Sequence, residues 1–148
     1  MANHVRQQIR ERVGTTLTGL TTTSSNVYQS RVYPLETGNL PALIIYTKSE
    51  DSVPSVIGTN RLIERQLTLA VEAYVKSITN SDDTIDTICK EVESALAADT
   101  TINSLAKDIY LESTEITYTG EGEKPIAVCT MNFLIHYFTQ QSNPDVAS

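Results

Sequence analysis

Three aspartates near the start of a predicted helix have the spacing in this sequence that comes nearest to a metal site. Asp82, Asp83 and Asp86 lie close together along the chain. Hard cations such as Ca²⁺ and Mg²⁺ are bound by carboxylate oxygens, but they need a larger set of ligands. No histidine or further carboxylate nearby completes that set. Helix capping, with acidic groups at the positive end of the helix dipole, is the simpler interpretation.

Motifs for nucleophilic or phosphate chemistry are missing from the sequence. His4 and His136 are far apart and form no HxxxH pair, and His136 has the setting of a structural histidine in a strand. No serine lies in a GxSxG elbow or an SxxK pair, although a triad assembled only by folding stays open. The glycine-rich segment GEGEKP carries two glutamates, which disfavour phosphate binding. We therefore predict a protein that is not an enzyme and uses no cofactor or metal.

Charge and composition exclude several further classes. The 148 residues carry a net charge of −7 and no dense run of Lys or Arg, which argues against specific nucleic-acid binding. No apolar stretch approaches the roughly twenty residues that cross a bilayer, and the N-terminal segment has no apolar region typical of a secretion signal. Cys89 and Cys129 are too few for a disulfide scaffold, so we expect both to be buried, reduced thiols in a cytosolic setting.

One long strand organises the predicted fold. From Leu67 to Val75 apolar residues alternate with polar ones, the period of a strand with one buried face. The run from Leu62 to Lys76 would span close to 50 Å at about 3.3 Å per residue. We expect part of it to project beyond the core and to leave backbone groups for a partner.

The remaining elements are predicted in order around this strand. The first half comprises a helix from about His4 to Thr18, a strand over Asn26–Tyr33, a turn at Glu36–Asn39 and a strand over Pro41–Lys48 covered on both faces. After the long strand come a helix with its stripe from Ile85 to Leu96 and a short helix holding Ile102, Leu105 and Ala106. The next strand, with Ile109, Leu111, Ile116 and Tyr118, is either apolar on both faces or switches its faces at a bulge near Ser113–Glu115. A hairpin turn at Gly120, a strand over Ile126–Thr139 and a loose tail from Gln140 complete the chain. This order predicts an α+β fold, a mainly antiparallel sheet with helices packed on it as a single-domain α/β sandwich over residues 1–148, ordered from about 4 to 140.

A loop is predicted between the two longest central strands. Its residues Glu50–Asn60 include Pro54 and Gly58, which favour a surface excursion. Its apolar side chains either tuck back on the core or contact a partner, and both interpretations stand at this point. As a candidate assembly interface it comprises Glu50, Asp51, Val53, Val56, Ile57 and Arg61.

The ordered set of segments resembles a tail terminator protein of long-tailed bacteriophages, of the minor tail protein U type. The resemblance covers about residues 4–140 and is specific in its order more than in any one motif. Its segments are VRQQIRERV, LPALIIYTKSE, RQLTLAVEAYVKS, DTIDTICKEVESALAAD, INSLAKDIYLES and TGEGEKPIAVCTMNFLIHYFT.

The resemblance implies a structural virion protein at the head-proximal end of the tail, assembled in the host cytoplasm. It implies a six-membered ring that caps the tail tube, stops its polymerisation and offers a head–tail joining surface. The implied partners are further copies of the chain, the tail tube protein and a head–neck connector protein, with DNA only passing through the lumen. The alternatives are another neck or head-completion ring protein, a small ligand-binding or enzymatic α+β domain, and a monomeric adaptor.

Overall fold

The computed structural model describes residues 3–29, 41–76, 81–119 and 126–148. Within these ranges two helices accompany a six-stranded mixed sheet that does not close, an α+β fold as predicted. The elements are α1 (Val5–Leu17), β1 (Val27–Tyr28), β2 (Ala42–Pro54), β3 (Leu62–Lys76), α2 (Ser81–Ala97), β4 (Asp108–Thr119), β5 (Ile126–Gln140) and β6 (Asn143–Ala147).

The sheet has the order β1-β2-β3-β5-β4, and β6 pairs with the end of β5. Among the described strand pairs β1 and β2 run parallel, and the others are antiparallel. The prediction of β3 from alternation is confirmed, since Leu67 and Val71 are buried on one face with Glu72 on the other. The predicted pairing of β4 with β5 is also confirmed, although its turn at Gly120 lies outside the described residues.

Both helices contribute to one core on a single face of the sheet. α1 contributes Val5, Ile9, Val13 and Leu17, spaced by four as one helical face requires. His4 caps this helix, because its Nδ1 accepts a hydrogen bond from the backbone N–H of Arg6 at 3.0 Å. α2 contributes Ile85, Ile88, Val92 and Leu96, as its sequence stripe predicts. The result is a two-layer arrangement around one hydrophobic core.

The opposite face of the sheet carries a smaller cluster built on β2 and β3. Ile44, Tyr46 and Ala70 are buried there. Glu72 accepts hydrogen bonds from the hydroxyls of Tyr46 (3.1 Å) and Tyr74 (3.0 Å) on the same face. The prediction that β2 is covered on both faces is therefore confirmed for its first half.

β3 differs from expectation in how its backbone is paired. It does continue well beyond the buried half of the sheet, but its projecting residues are paired with a neighbouring strand on each side. Ile63 pairs with Pro54 of β2 and with Thr139 of β5. The inference that the overlong strand leaves its own backbone groups for a partner is wrong, because β2 and β5 extend with it.

Three local predictions need correction. The chain after Gln140 is not a loose tail: β6 pairs with β5, and the carbonyl of Asp145 accepts from the Gln8 side chain at 3.0 Å. Ile102 lies in a turn and not in a short helix, because it begins a run of positive φ angles (49°, 54° and 66°) that a right-handed helix excludes. The predicted loop from Glu50 is too long, since β2 continues to Pro54.

The remaining expectations are met in part. The register between β4 and β5 shifts between Leu111 and Ser113, so of the two interpretations of this strand the structure supports the bulge. The predicted strand from Asn26 is formed at Val27–Tyr28, while its later residues and the turn at 36–39 lie outside the described residues.

Candidate assembly interface

The tip of the β2–β3 hairpin is a short loop, residues 55–61, closed by backbone hydrogen bonds. The N–H of Ser55 donates to the carbonyl of Leu62 at 2.7 Å. The tip also contacts the turn between β5 and β6, where the N–H of Gln141 donates to the carbonyl of Arg61 at 2.7 Å. Gly58 has a φ of 146°, a conformation that side chains disfavour. Backbone hydrogen bonds thus hold the tip, and its apolar side chains are not needed for this.

Three apolar side chains of this hairpin end face solvent. Val53 on β2 is 59% exposed, Val56 50% and Ile57 96%. We call these residues the apolar tip. Single exposed apolar residues are common, but three close together at the end of a projecting hairpin suit contact with a partner. The interpretation that they tuck back on the core is wrong.

Glu50 belongs to a buried ionic cluster and not to an exposed loop. Its side chain is only 8% exposed and accepts from Arg6 Nη1 at 2.7 Å and from Arg65 Nη1 at 3.1 Å. The hydroxyl of Tyr137, a fully buried residue, also donates to it. The Nε of Arg65 in turn donates to Thr139 Oγ1 at 3.0 Å. The cluster joins α1, β2, β3 and β5, so its role is to hold the projecting end of the sheet to the helix layer.

A bulge explains why Glu50 points inward. The ladder between β2 and β3 shifts register between Thr47 and Ser49, which leaves Lys48 as the extra residue. Because side chains alternate along a strand, one extra residue exchanges the faces of everything that follows. Glu50 therefore lies opposite the buried Leu67, on the helix side.

Asp51 and Arg61, the other two candidate residues, lie at the surface. Arg61 donates from Nε to the carbonyl of Gly58 at 3.2 Å, which steadies the tip. Their place in an interface stays a prediction. The structure thus brings Asp51 and Arg61 into the same exposed hairpin end as the apolar tip and separates Glu50 from it.

Two tyrosines, Tyr74 partly buried and Tyr137 fully buried, predict a loss of stability at alkaline pH. Burial and the hydrogen bond to Glu72 raise the pKa of Tyr74 to about 12, and burial with Glu50 raises the pKa of Tyr137. In an unfolded chain the tyrosine hydroxyl has a pKa of about 10. The folded state therefore keeps protons that the unfolded state loses above this pH, so the free energy of unfolding falls as pH rises towards about 12.

Urea unfolding at a series of pH values tests this expectation. The midpoint should be steady just below pH 10 and decline above it. Tyr74→Phe removes one of the protons concerned, so its midpoint should decline less steeply than that of the wild type. An equally steep decline in the variant would contradict the assignment to Tyr74.

Sequence reasoning missed a second exposed surface, the free edge of β4. This strand ends the sheet, and no strand in the described residues pairs with its outer edge. Ile116 and Tyr118 are 45% and 49% exposed. Their position at an edge depends on strand order, which local patterns do not encode. The bulge is the one sequence signal that bears on this surface. It turns the side chains of Ile116 and Tyr118 to the helix side of the sheet, where the core does not cover them.

The aspartates and histidines considered as metal-binding or catalytic groups make contacts that serve the fold. Asp82 lies in the first turn of α2 and accepts a hydrogen bond from the Tyr118 hydroxyl. His136 Nδ1 lies 3.8 Å from Glu64, and its ring stacks on Tyr110. Burial and the nearby Arg6 lower the pKa of His4, the cap of α1. Among the described residues no group of His, Cys, Asp or Glu is arranged to hold a metal ion. None of the described helices could span a bilayer.

The described residues form a two-layer α+β protein in which no described strand covers the outer edge of β4 and the β2–β3 hairpin ends in an apolar tip. The chain belongs to the family of phage minor tail protein U, whose sequence model matches residues 4–137. It is therefore a phage tail structural protein, a component of the virion. This match confirms the resemblance drawn from the ordered segments.

Other comparisons add little. No curated protein gives a significant match. Among solved structures, a chain of the virion of a native gene transfer agent particle is similar, with a TM-score of 0.42 and 11% identity over 92% of each chain. A likeness at this level carries no inference about function.

Proposed function

We propose that this minor tail protein is the tail terminator: it forms a six-membered ring that caps the tail tube, stops tube polymerisation and presents the surface for head joining. Membership of the U family supports a role in the tail. The observation that carries the finer proposal is the pair of different exposed surfaces, the apolar tip and the free edge of β4.

A ring of subunits requires a head-to-tail contact between unlike patches of neighbouring copies. A dimer of the commonest type uses one patch twice, whereas a head-to-tail contact joins two different patches and closes when the rotation permits. Among the described strands none pairs with the outer edge of β4, and such an edge readily accepts another strand. We assign one side of the subunit–subunit contact to this edge, which would receive an unlike face of the next subunit, and the contact with the tail tube protein to the apolar tip.

The protein acts as a structural component and not as an enzyme, and its function needs no cofactor. The net charge of −7 per subunit gives a ring through which DNA passes without being held, since phosphate binding draws on clustered Lys and Arg. A head–neck connector protein would bind the face of the ring away from the tube.

The test uses the whole chain with purified tail tube protein. Solution mass and negative-stain images, at low and high protein concentration, should show rings of six, either free or once tubes are present. Added protein should stop tube elongation. Strict dimers or filaments under all of these conditions would overturn the ring. Binding to empty heads without binding to tubes would replace the terminator by another neck component.

A further inference from the structure

The helix layer and the sheet meet at a pair of cysteine side chains. Cys89 on α2 and Cys129 on β5 are free thiols whose Sγ atoms lie 3.3 Å apart. Cys129 is fully buried, whereas Cys89 is only partly buried. The expectation of two buried thiols therefore holds for Cys129 alone. This contact spans the two layers of the fold, and it takes no part in the ring or tip surfaces described above.

We propose that Cys89 and Cys129 are a modification site, at which a low-molecular-mass disulfide oxidises the two thiols to an intramolecular disulfide bond. The two sulfurs already face each other, and a bond of about 2.05 Å needs them to approach by little more than about 1 Å. The bond would tie α2 covalently to β5.

The chemistry proceeds by two thiol–disulfide exchanges. The thiolate of Cys89, the accessible partner, attacks one sulfur of the small disulfide, forms a mixed disulfide and releases one small thiolate. The thiolate of Cys129 then attacks Cys89 Sγ and releases the second. The two protons lost by the cysteines protonate the two released thiolates. Two protein thiols are oxidised, and one small disulfide is reduced to two small thiols.

The surroundings of the two cysteines make this reaction slow as long as the protein is in the reducing interior of the cell. The hydrogen bond with Cys129, burial, and the carboxylates of Glu93 and Asp86 raise the pKa of Cys89, which keeps its thiolate scarce. The thiolate is the nucleophile, so oxidation needs time or a strong oxidising poise. A phage virion meets oxidising conditions outside the cell, where disulfides form and persist. The site would then stabilise the released particle without hindering folding or assembly.

The expected effect is a higher melting temperature. The bond closes the chain segment from Cys89 to Cys129, which includes β4, and so restricts the unfolded chain. By the loop-entropy relation, closure of a segment of this length raises the melting temperature by roughly 10 °C in a domain of this size. Reduction with dithiothreitol should reverse the increase.

The experiment treats the purified, reduced full-length chain with glutathione disulfide. Thiol titration should fall to zero, the intact mass should drop by that of two hydrogen atoms with no dimer formed, and the melting temperature should rise. Cys89→Ser and Cys129→Ala are the matched variants, and neither should show such a rise. Cys89→Ser should keep its one buried thiol, whereas Cys129→Ala should stop at a glutathione mixed disulfide on Cys89. If in the wild type both thiols persist, or if a stable glutathione adduct or a cross-linked dimer forms instead, the proposal is overturned. None of these readouts depends on ring formation or tube capping.

Discussion

Replacing Glu50 with alanine is expected to lower the free energy of unfolding by about 3–5 kcal/mol, the cost of removing one partner from a buried ionic cluster. Arg65 keeps its hydrogen bond to Thr139 but loses its counter-charge. The buried hydroxyl of Tyr137 loses its acceptor. The half-exposed Arg6 can turn to water and contributes less. In a domain of this size the melting temperature should fall by roughly 10 °C or more.

The neighbouring carboxylate supplies the control. Asp51→Ala removes the same charge one residue further along β2, but Asp51 is exposed and should change stability by no more than about 0.5 kcal/mol. Urea unfolding of both variants measures the difference. Near-equal effects would mean that Glu50 acts as a surface residue and that its cluster adds nothing to stability.

The contrast between Glu50 and Asp51 shows where sequence reasoning stops. Alternation predicted the buried part of β3, because from Leu67 to Val75 every second residue is apolar. β2 has no such pattern after Lys48. Its polar residues are held as a strand by pairing with β3, a tertiary effect that outweighs their low strand propensity. The bulge at Lys48, which turns Glu50 inward, leaves no mark in the local sequence.

The same limit applies to the candidate interface. Apolar side chains beside Pro54 and Gly58 were enough to single out the tip, since such residues on a turn are unusual. The edge of β4 could not be predicted, because strand order is set by long-range pairing. β6 was missed for a related reason: Asn143 to Ala147 has no strand pattern and depends on β5 and Gln8 for its hydrogen bonds.

The second large effect is expected at the apolar tip. Simultaneous replacement of Val53, Val56 and Ile57 by serine should leave the fold intact, because all three side chains are exposed and each change should cost within about 0.5 kcal/mol. Burial of a valine or isoleucine side chain at a contact is worth about 1.5–3 kcal/mol. If the tube covers all three, binding should weaken by roughly 1,000-fold or more, since each 1.4 kcal/mol is about tenfold. Tube elongation should then continue past the variant.

Val146→Ser is the matched control, since Val146 is an exposed valine (55%) on β6, outside the tip. It should cap tubes as the wild type does. Hydrogen exchange gives an independent readout, because tip amides that are covered by the tube should gain protection only on binding. If the triple variant unfolds, the three wild-type side chains contribute to the stability of the fold. If it folds and caps tubes normally, the tip is only a connector, and the contact with the tube has to be sought on another face, with the free edge of β4 as the next surface to mutate.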